Sequence, residues 1–270
     1  MAPRPLFWSL STKRIRLDVG YDGGEFCGWA AQQGLRSVQS TLKTAVRQVS
    51  GEDCEIIGAS RTDGGAHARG QVCHFTTAVD IPPEHWAYCL NRALSLDLRV
   101  VRSDAVRKDF HSRFSAVDRS YRYRILIGRQ DPFRLRFAHY HWKEVDFDAM
   151  RAAATKLVGV HDFKSFSEEV PPESNTFREV YAIDLRRVGP EIWIDIRGNA
   201  FLRGMIRRIA GGLLEVGQGK RPSCDIDALL AREREVFLPV VLPARGLTLM
   251  KIRYGRHPVL HATYVPPDCA

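Results

Sequence analysis

Long apolar runs are missing from this 270-residue chain. The one near its start, Leu6 to Leu10, is far too short for a signal-peptide core or a bilayer span, which points to a soluble protein. Cysteine is sparse and dispersed: Cys27, Cys54, Cys73, Cys89, Cys224 and Cys269 form no C-x-x-C pair. That argues against a disulfide scaffold and for reduced thiols in a cytoplasmic protein. Acids are short too, 31 Asp and Glu against 40 Lys and Arg, a formal charge of 40 − 31 = +9. The surplus favours a polyanionic partner, because phosphates release counterions when they meet Lys and Arg. No basic amphipathic helix with a broad apolar face points to a membrane surface instead. Gly212 to Lys220 is glycine-rich but lacks the G-x-x-x-x-G-K-[ST] spacing and follows a helical pattern, so it is no P-loop. His139 and His141 share a strand face, yet no carboxylate or cysteine completes a ligand spacing, and no metal is expected.

What is present is an ordinary globular balance, 44% hydrophobic and 26% charged, long enough for one large domain or two lobes with real cores. Residues 1–12 read as a loose arm. From Arg14 to Val19 the chain alternates, with Ile15, Leu17 and Val19 on one face, which predicts a half-buried strand. Tyr21-Asp-Gly-Gly is a turn. Val38, Leu42, Ala45, Val46 and Val49 share a helical face, with Ser37 as N-cap and Gly51 as stop. Gln71 to Phe75 reads as a strand, and so does Tyr121 to Ile127, with Tyr121, Tyr123, Ile125 and Ile127 on one face. Asp146 caps a helix to about Leu157. Val180 to Arg186 and Glu191 to Arg197 form a hairpin across Gly189-Pro190. Leu202, Met205, Ile206, Ile209, Leu213 and Val216 make a helical stripe that stops at Gly217-Gln-Gly219, and Leu247 to Tyr254 is a closing strand. Hairpins mixed with packed helices give an α+β class with mainly antiparallel sheet. Gly128 to Arg136 is the least regular connection, so the lobes are residues 13–127 and 128–270.

Chemistry concentrates in Gly58-Ala-Ser-Arg-Thr-Asp-Gly-Gly-Ala-His-Ala-Arg-Gly-Gln-Val72. One carboxylate, Asp63, sits on a glycine-bounded turn with Arg61 two residues before it. In an extended segment the two side chains project to one side, and a guanidinium favours the charged form of a sheltered carboxylate. Arg207, on the basic side of the 202–216 helix with Arg203 and Arg208, is a second candidate partner. Thr-Asp-Gly-Gly alone is ordinary turn chemistry, and such arginines alone are structural ion pairs. Tyr121 lies among Arg119, Arg122 and Arg124; cations interleaved with an aromatic ring suit RNA, where the ring stacks on an unpaired base for about 1–3 kcal/mol.

The run Arg61-Thr-Asp-x-Gly-x-His-Ala-x-Gly-Gln-Val72 resembles the catalytic motif of the TruA family of tRNA pseudouridine synthases. The resemblance extends from about Ile15 to Tyr254. It takes in Tyr21-Asp-Gly-x-x-Phe-x-Gly-Trp29, Ser37-Val-Gln39, Phe110-His-Ser-Arg-Phe-Ser-Ala116 with Tyr121-Arg-Tyr123, and Val158-Gly-x-His-Asp-Phe-x-Ser-Phe166. Asn199-Ala-Phe-Leu-Arg-x-Met-Ile-Arg207 and Gly246-Leu-x-Leu249 complete it. It implies the pseudouridine synthase fold, two α/β lobes around a central RNA-binding cleft, and a homodimer whose cleft uses both subunits. By the same resemblance Asp63 is the catalytic aspartate and Arg61 and Arg207 position it. Tyr121 stacks on the target uracil, and Leu247 forms an apolar wall.

The implied reaction turns uridine into pseudouridine at positions 38 to 40 of the tRNA anticodon stem-loop. Asp63 attacks sugar or base as a nucleophile, or removes a ribose proton to give a glycal. An isomerisation needs no cofactor. The chain departs from the family pattern with Ser60 for Gly, Gly64 for Ala, Ala66 for Val and Leu94-Ser95 for Leu-Pro, and Ala31 falls near a commonly basic position. The rival readings are a catalytically silent RNA-binding protein on the same fold and a metal-dependent RNA hydrolase, which the missing ligand set disfavours.

Overall fold

The computed structural model describes residues 12–168, 171, 173–232 and 236–255. The expected arm lies, apart from Thr12, outside them, as does Cys269. In chain order the elements are β1 (Lys13–Tyr21), α1 (Val38–Ser50), β2 (Ile57–Gly58), β3 (His67–Thr77), α2 (Trp86–Ala93) and β4 (Leu98–Val106). Next come β5 (Ala116–Ile127), α3 (Pro132–Leu135), β6 (His139–His141), α4 (Phe147–Thr155), β7 (Gly159–Asp162) and β8 (Phe177–Val188). The series closes with β9 (Glu191–Gly198), α5 (Met205–Gly217), α6 (Cys224–Leu230) and β10 (Leu247–Tyr254).

The alternation over 14–19 becomes β1, whose Ile15, Leu17 and Val19 are fully buried. Ser37 caps α1 as expected, accepting from the Ser40 N–H at 3.2 Å while Ser40 Oγ accepts from the Ser37 N–H, and Gly51 ends the helix in the left-handed region. Asp146 caps α4 through the Ala149 N–H at 2.9 Å. The expected hairpin is β8–β9, turning at Gly189. Helix α5 starts at Met205, later than the stripe's first member Leu202, because Gly204 sits at φ +70° and breaks the helical path. The connection 128–136 is more regular than expected: Asp131 accepts from the Phe133 N–H and Pro132 opens a helical turn, α3.

One ten-stranded sheet runs β4-β1-β3-β10-β5-β9-β8-β7, with β2 added on β3 and β6 on β5. All pairings are antiparallel except β10 with β3 and β5 with β6, which bears out the mixed α/β class with a mainly antiparallel sheet. The last strand among the described residues, β10, therefore lies in the middle of the sheet. Leu249 faces Tyr121 across one ladder and Ala68 across the other.

The pleat of β5 corrects one expectation. Tyr121, Tyr123 and Ile125 enter the core, so Arg122 and Arg124 emerge on the opposite face. There Arg122 grips Asp195 at 2.7 and 2.9 Å, and Arg124 grips Glu191 at 2.7 Å through both nitrogens. These cations do not flank Tyr121; they are neutralised behind it. Burial opposes the charge on Glu191, but hydrogen bonds from Arg124, Trp193 and Arg134 outweigh burial and hold the carboxyl down at about 2, against an ordinary 4.5. A carboxyl depressed in the fold stabilises above its unfolded pKa, and that stability is lost as pH falls from 4.5 toward about 2. Glu191→Gln is expected to cost about 3 kcal/mol at neutral pH. It should also flatten the loss of stability between about pH 5 and about pH 3. Urea titrations of both proteins across that range check it.

Candidate active site

The Asp63 turn is built from contacts with three other parts of the chain. Gly65 takes φ +82°, which leaves it to glycine, and its N–H donates to the Phe26 carbonyl at 3.1 Å. The Trp29 N–H donates to the Thr62 carbonyl at 3.0 Å, and Thr62 Oγ1 lies 2.8 Å from the Tyr21 hydroxyl. Gly28, at φ +93°, sits so close that a Cβ there would fall 2.6 Å from the Thr62 carbonyl oxygen. The opening Tyr21–Trp29 segment thus forms the bed on which the turn lies, and this is the physical reason for its glycines and aromatics. From β3, the buried amide of Gln71 holds the backbone of Ser60.

The third part is α5. Arg207 donates from Nη1 to Asp63 Oδ2 at 2.8 Å and from Nε to the Leu242 carbonyl at 2.7 Å. Both side chains are partly screened, 18% and 27% exposed. Among the described residues Asp63 Oδ1 has no partner, so one carboxylate oxygen is anchored and the other is open. Arg61 behaves differently. The chain bends at residues 59 and 60, and Arg61 emerges into solvent, with no ion pair to Asp63 among the described residues. Of the other cations on the α5 side, Arg208 donates to the Pro239 carbonyl at 2.9 Å and Arg203 lies 3.9 Å from Glu168.

Tyr121 is 5% exposed, edge-on to Phe201 with ring centroids 5.4 Å apart, and its hydroxyl is 2.6 Å from Ser60 Oγ. Burial pushes its phenol up, and the Asp63 charge adds to that against the Ser60 hydrogen bond and Arg119. Leu247, 6% exposed, opens β10 opposite Tyr123. Arg207 therefore meets Asp63 directly, Tyr121 meets Ser60 of the same loop, and Leu247 lies two residues along from the position opposite Tyr121 on the neighbouring strand. Among the described residues no three His, Cys, Asp or Glu side chains form a group that holds a metal ion.

A family profile described as tRNA pseudouridine synthase matches residues 19–115, which contain Asp63, and residues 153–255, which contain Arg207 and Leu247; Tyr121 falls between the two stretches. The chain belongs to the TruA family of tRNA pseudouridine synthases. A tRNA pseudouridine synthase A of Brevibacillus brevis is 40% identical over 243 residues, covering 90% of this chain and 100% of that one. The protein of the same name from Bacillus pumilus is 38% identical over 244 residues, 89% and 99%. That from Halalkalibacterium halodurans is 38% identical over 237 residues, 87% and 90%.

Ser60, Thr62 and Gln71 were not singled out as site residues from the sequence, although all three lie in the Gly58–Val72 run. The available signal was Gln71, a polar residue at an inward position of a strand, which must find partners when buried.

Two expectations follow from the turn and its anchor. A Cβ on Gly64 would make only ordinary contact, 3.5 Å from the Cys27 backbone, and Gly64 does not need positive φ. Gly64→Ala is therefore expected to stabilise by about 0.4–1 kcal/mol, while Gly65→Ala destabilises by more, as read by urea titration. Arg207→Lys cannot reach Asp63 and the Leu242 carbonyl together. It should slow turnover about 10- to 100-fold with tRNA affinity unchanged, in single-turnover and filter-binding assays.

Proposed function

We propose that this family member converts uridine to pseudouridine at positions 38, 39 and 40 of the tRNA anticodon stem-loop, with Asp63 as the reacting carboxylate. The observation that carries the reading is the ion pair between Asp63 and Arg207, which joins the two halves of the family pattern at 2.8 Å. Arg207 fixes Oδ2 and leaves Oδ1 to the substrate. Asp63 then acts as nucleophile on the sugar or base, or as the base that yields a glycal. The C1′–N1 bond breaks, the retained uracil turns, C5 joins C1′, and the C5 hydrogen leaves as a proton. Every atom of the product but that exchanged hydrogen comes from the substrate, so no cofactor enters.

Tyr121 stacks on the extruded uracil, which reaches the buried ring by displacing half-buried Phe201, and Leu247 walls the pocket. Arg61, exposed beside the carboxylate, meets the RNA and completes the placement of Asp63 once RNA is bound. The +9 charge draws the tRNA in. Lobes of residues 13–127 and 128–270 flank the cleft, and β10 of the second lobe is inserted between β3 and β5 of the first. The working form is a cytoplasmic homodimer. Among the described residues no helix is long and apolar enough to cross a membrane.

The test is tritium release from [5-³H]uridine-labelled tRNA of a strain lacking the modification, with wild type beside Asp63→Asn. Wild type is expected to release tritium, and Asp63→Asn to bind the same tRNA and release none. Release by the variant overturns the role of Asp63. Binding without release by wild type leaves a silent RNA-binding protein.

A further inference from the structure

Ser60 stands three residues before Asp63, where the family resemblance leads one to expect glycine. Its backbone is fastened first. Gln71 donates from Nε2 to the Ser60 carbonyl at 2.7 Å and accepts at Oε1 from the Ser60 N–H at 3.3 Å. A single, fully buried side chain on β3 thus occupies both polar backbone groups of Ser60. What remains is the hydroxyl, and it reaches across to Tyr121, oxygen to oxygen at 2.6 Å.

The segment between Ser60 and Asp63 is not slack. Thr62 is held by its side chain to the Tyr21 hydroxyl at 2.8 Å and by its carbonyl to the Trp29 N–H at 3.0 Å. A force on Ser60 is therefore passed along a short, pinned stretch to the carboxylate. On the other side, the Tyr121 phenol stays protonated at neutral pH, since burial and then the Asp63 charge raise it. It stands as a hydrogen-bonding group at the rim of the ring. Stacking engages the ring face and leaves that rim alone. When uracil displaces Phe201 the ring loses its edge contact, while the hydroxyl pair persists.

We propose that Ser60 is a positioning residue: its hydroxyl ties the Tyr121 ring to the Asp63 loop, so that stacked uracil and carboxylate keep one separation. The inference rests on the isomerase reading above and extends it to a residue that touches neither the reacting atoms nor the base. Because the bulk of tRNA affinity comes from phosphate contacts elsewhere, loss of the tie acts on the chemical step and spares binding.

The experiment measures single-turnover rate and tRNA Kd for wild type, Ser60→Ala, Ser60→Thr, Tyr121→Phe and the Ser60→Ala/Tyr121→Phe double variant. Each protein's Tm is recorded to show that it folds. Ser60→Ala is expected to slow the rate about three- to tenfold with Kd unchanged, and Ser60→Thr, which keeps a hydroxyl, to recover most of it. The double variant should be no slower than Tyr121→Phe alone, the signature of two groups acting as one unit. A merely structural role for Ser60 would lower Tm without that coupling. A Ser60→Ala rate equal to wild type, or losses that multiply in the double variant, overturns the inference and leaves the isomerase reading standing. An inert wild type overturns both.

Discussion

The backbone ladder of β10, parallel to β3 on one edge and antiparallel to β5 on the other, holds the two halves of the sheet together. Its register seats Leu249 between Ala68 and Tyr121, so the strand that follows the Asp63 turn and the strand that carries Tyr121 stay at fixed spacing. The turn just before it is pressed onto the core as well. A Cβ on Gly246 would fall 2.6 Å from the Tyr123 ring, whose hydroxyl donates to the Pro243 carbonyl at 2.7 Å. From that frame α5 presents Arg207 to an aspartate 144 residues earlier in the chain. The geometry of the candidate site thus depends on the strand order of the sheet, and the ion pair is a contact made across it.

Charge in this protein does two separate jobs. Several arginines are paired within the fold: Arg122 on Asp195, Arg124 and Arg134 on Glu191, and Arg36 on Asp97. These pairs secure strand faces and loops and have little attraction left for a polyanion. Arg61 is exposed beside Asp63 and remains available to one. Net charge describes what the molecule attracts at a distance, while the pairing decides which cations an RNA meets on arrival.

The glycines of the opening segment illustrate how a packing demand turns into a sequence pattern. Gly28 has both a left-handed backbone and a carbonyl 2.6 Å from where a Cβ would be, so any side chain would lift the Asp63 turn off its bed. Gly64 has neither constraint, so alanine would fit at its position. Ser60 works in the opposite sense, since it adds a group where the backbone needs none and directs it at the Tyr121 hydroxyl.

Strand β1, helix α1 with its Ser37 cap and the β8–β9 hairpin were legible in the sequence because their information is local. A period of two or 3.6, a capping hydroxyl and a turn glycine each act within a few residues. Helix α2, strand β4 and the turn α3 were not read, their local patterns being short or interrupted. Within the site, the sequence by itself determined residue types and order: a carboxylate on a glycine turn, a tyrosine on an alternating strand, arginines on a helix. Only the tertiary structure decided that Arg207 grips Asp63 while Arg61 faces solvent, that Arg122 and Arg124 turn away from Tyr121, and that Ser60 meets the Tyr121 hydroxyl. Spacing along a chain sets which side chains share a face. Which faces meet depends on strand order, register and the direction of a bend, and those are settled by packing between residues far apart in sequence.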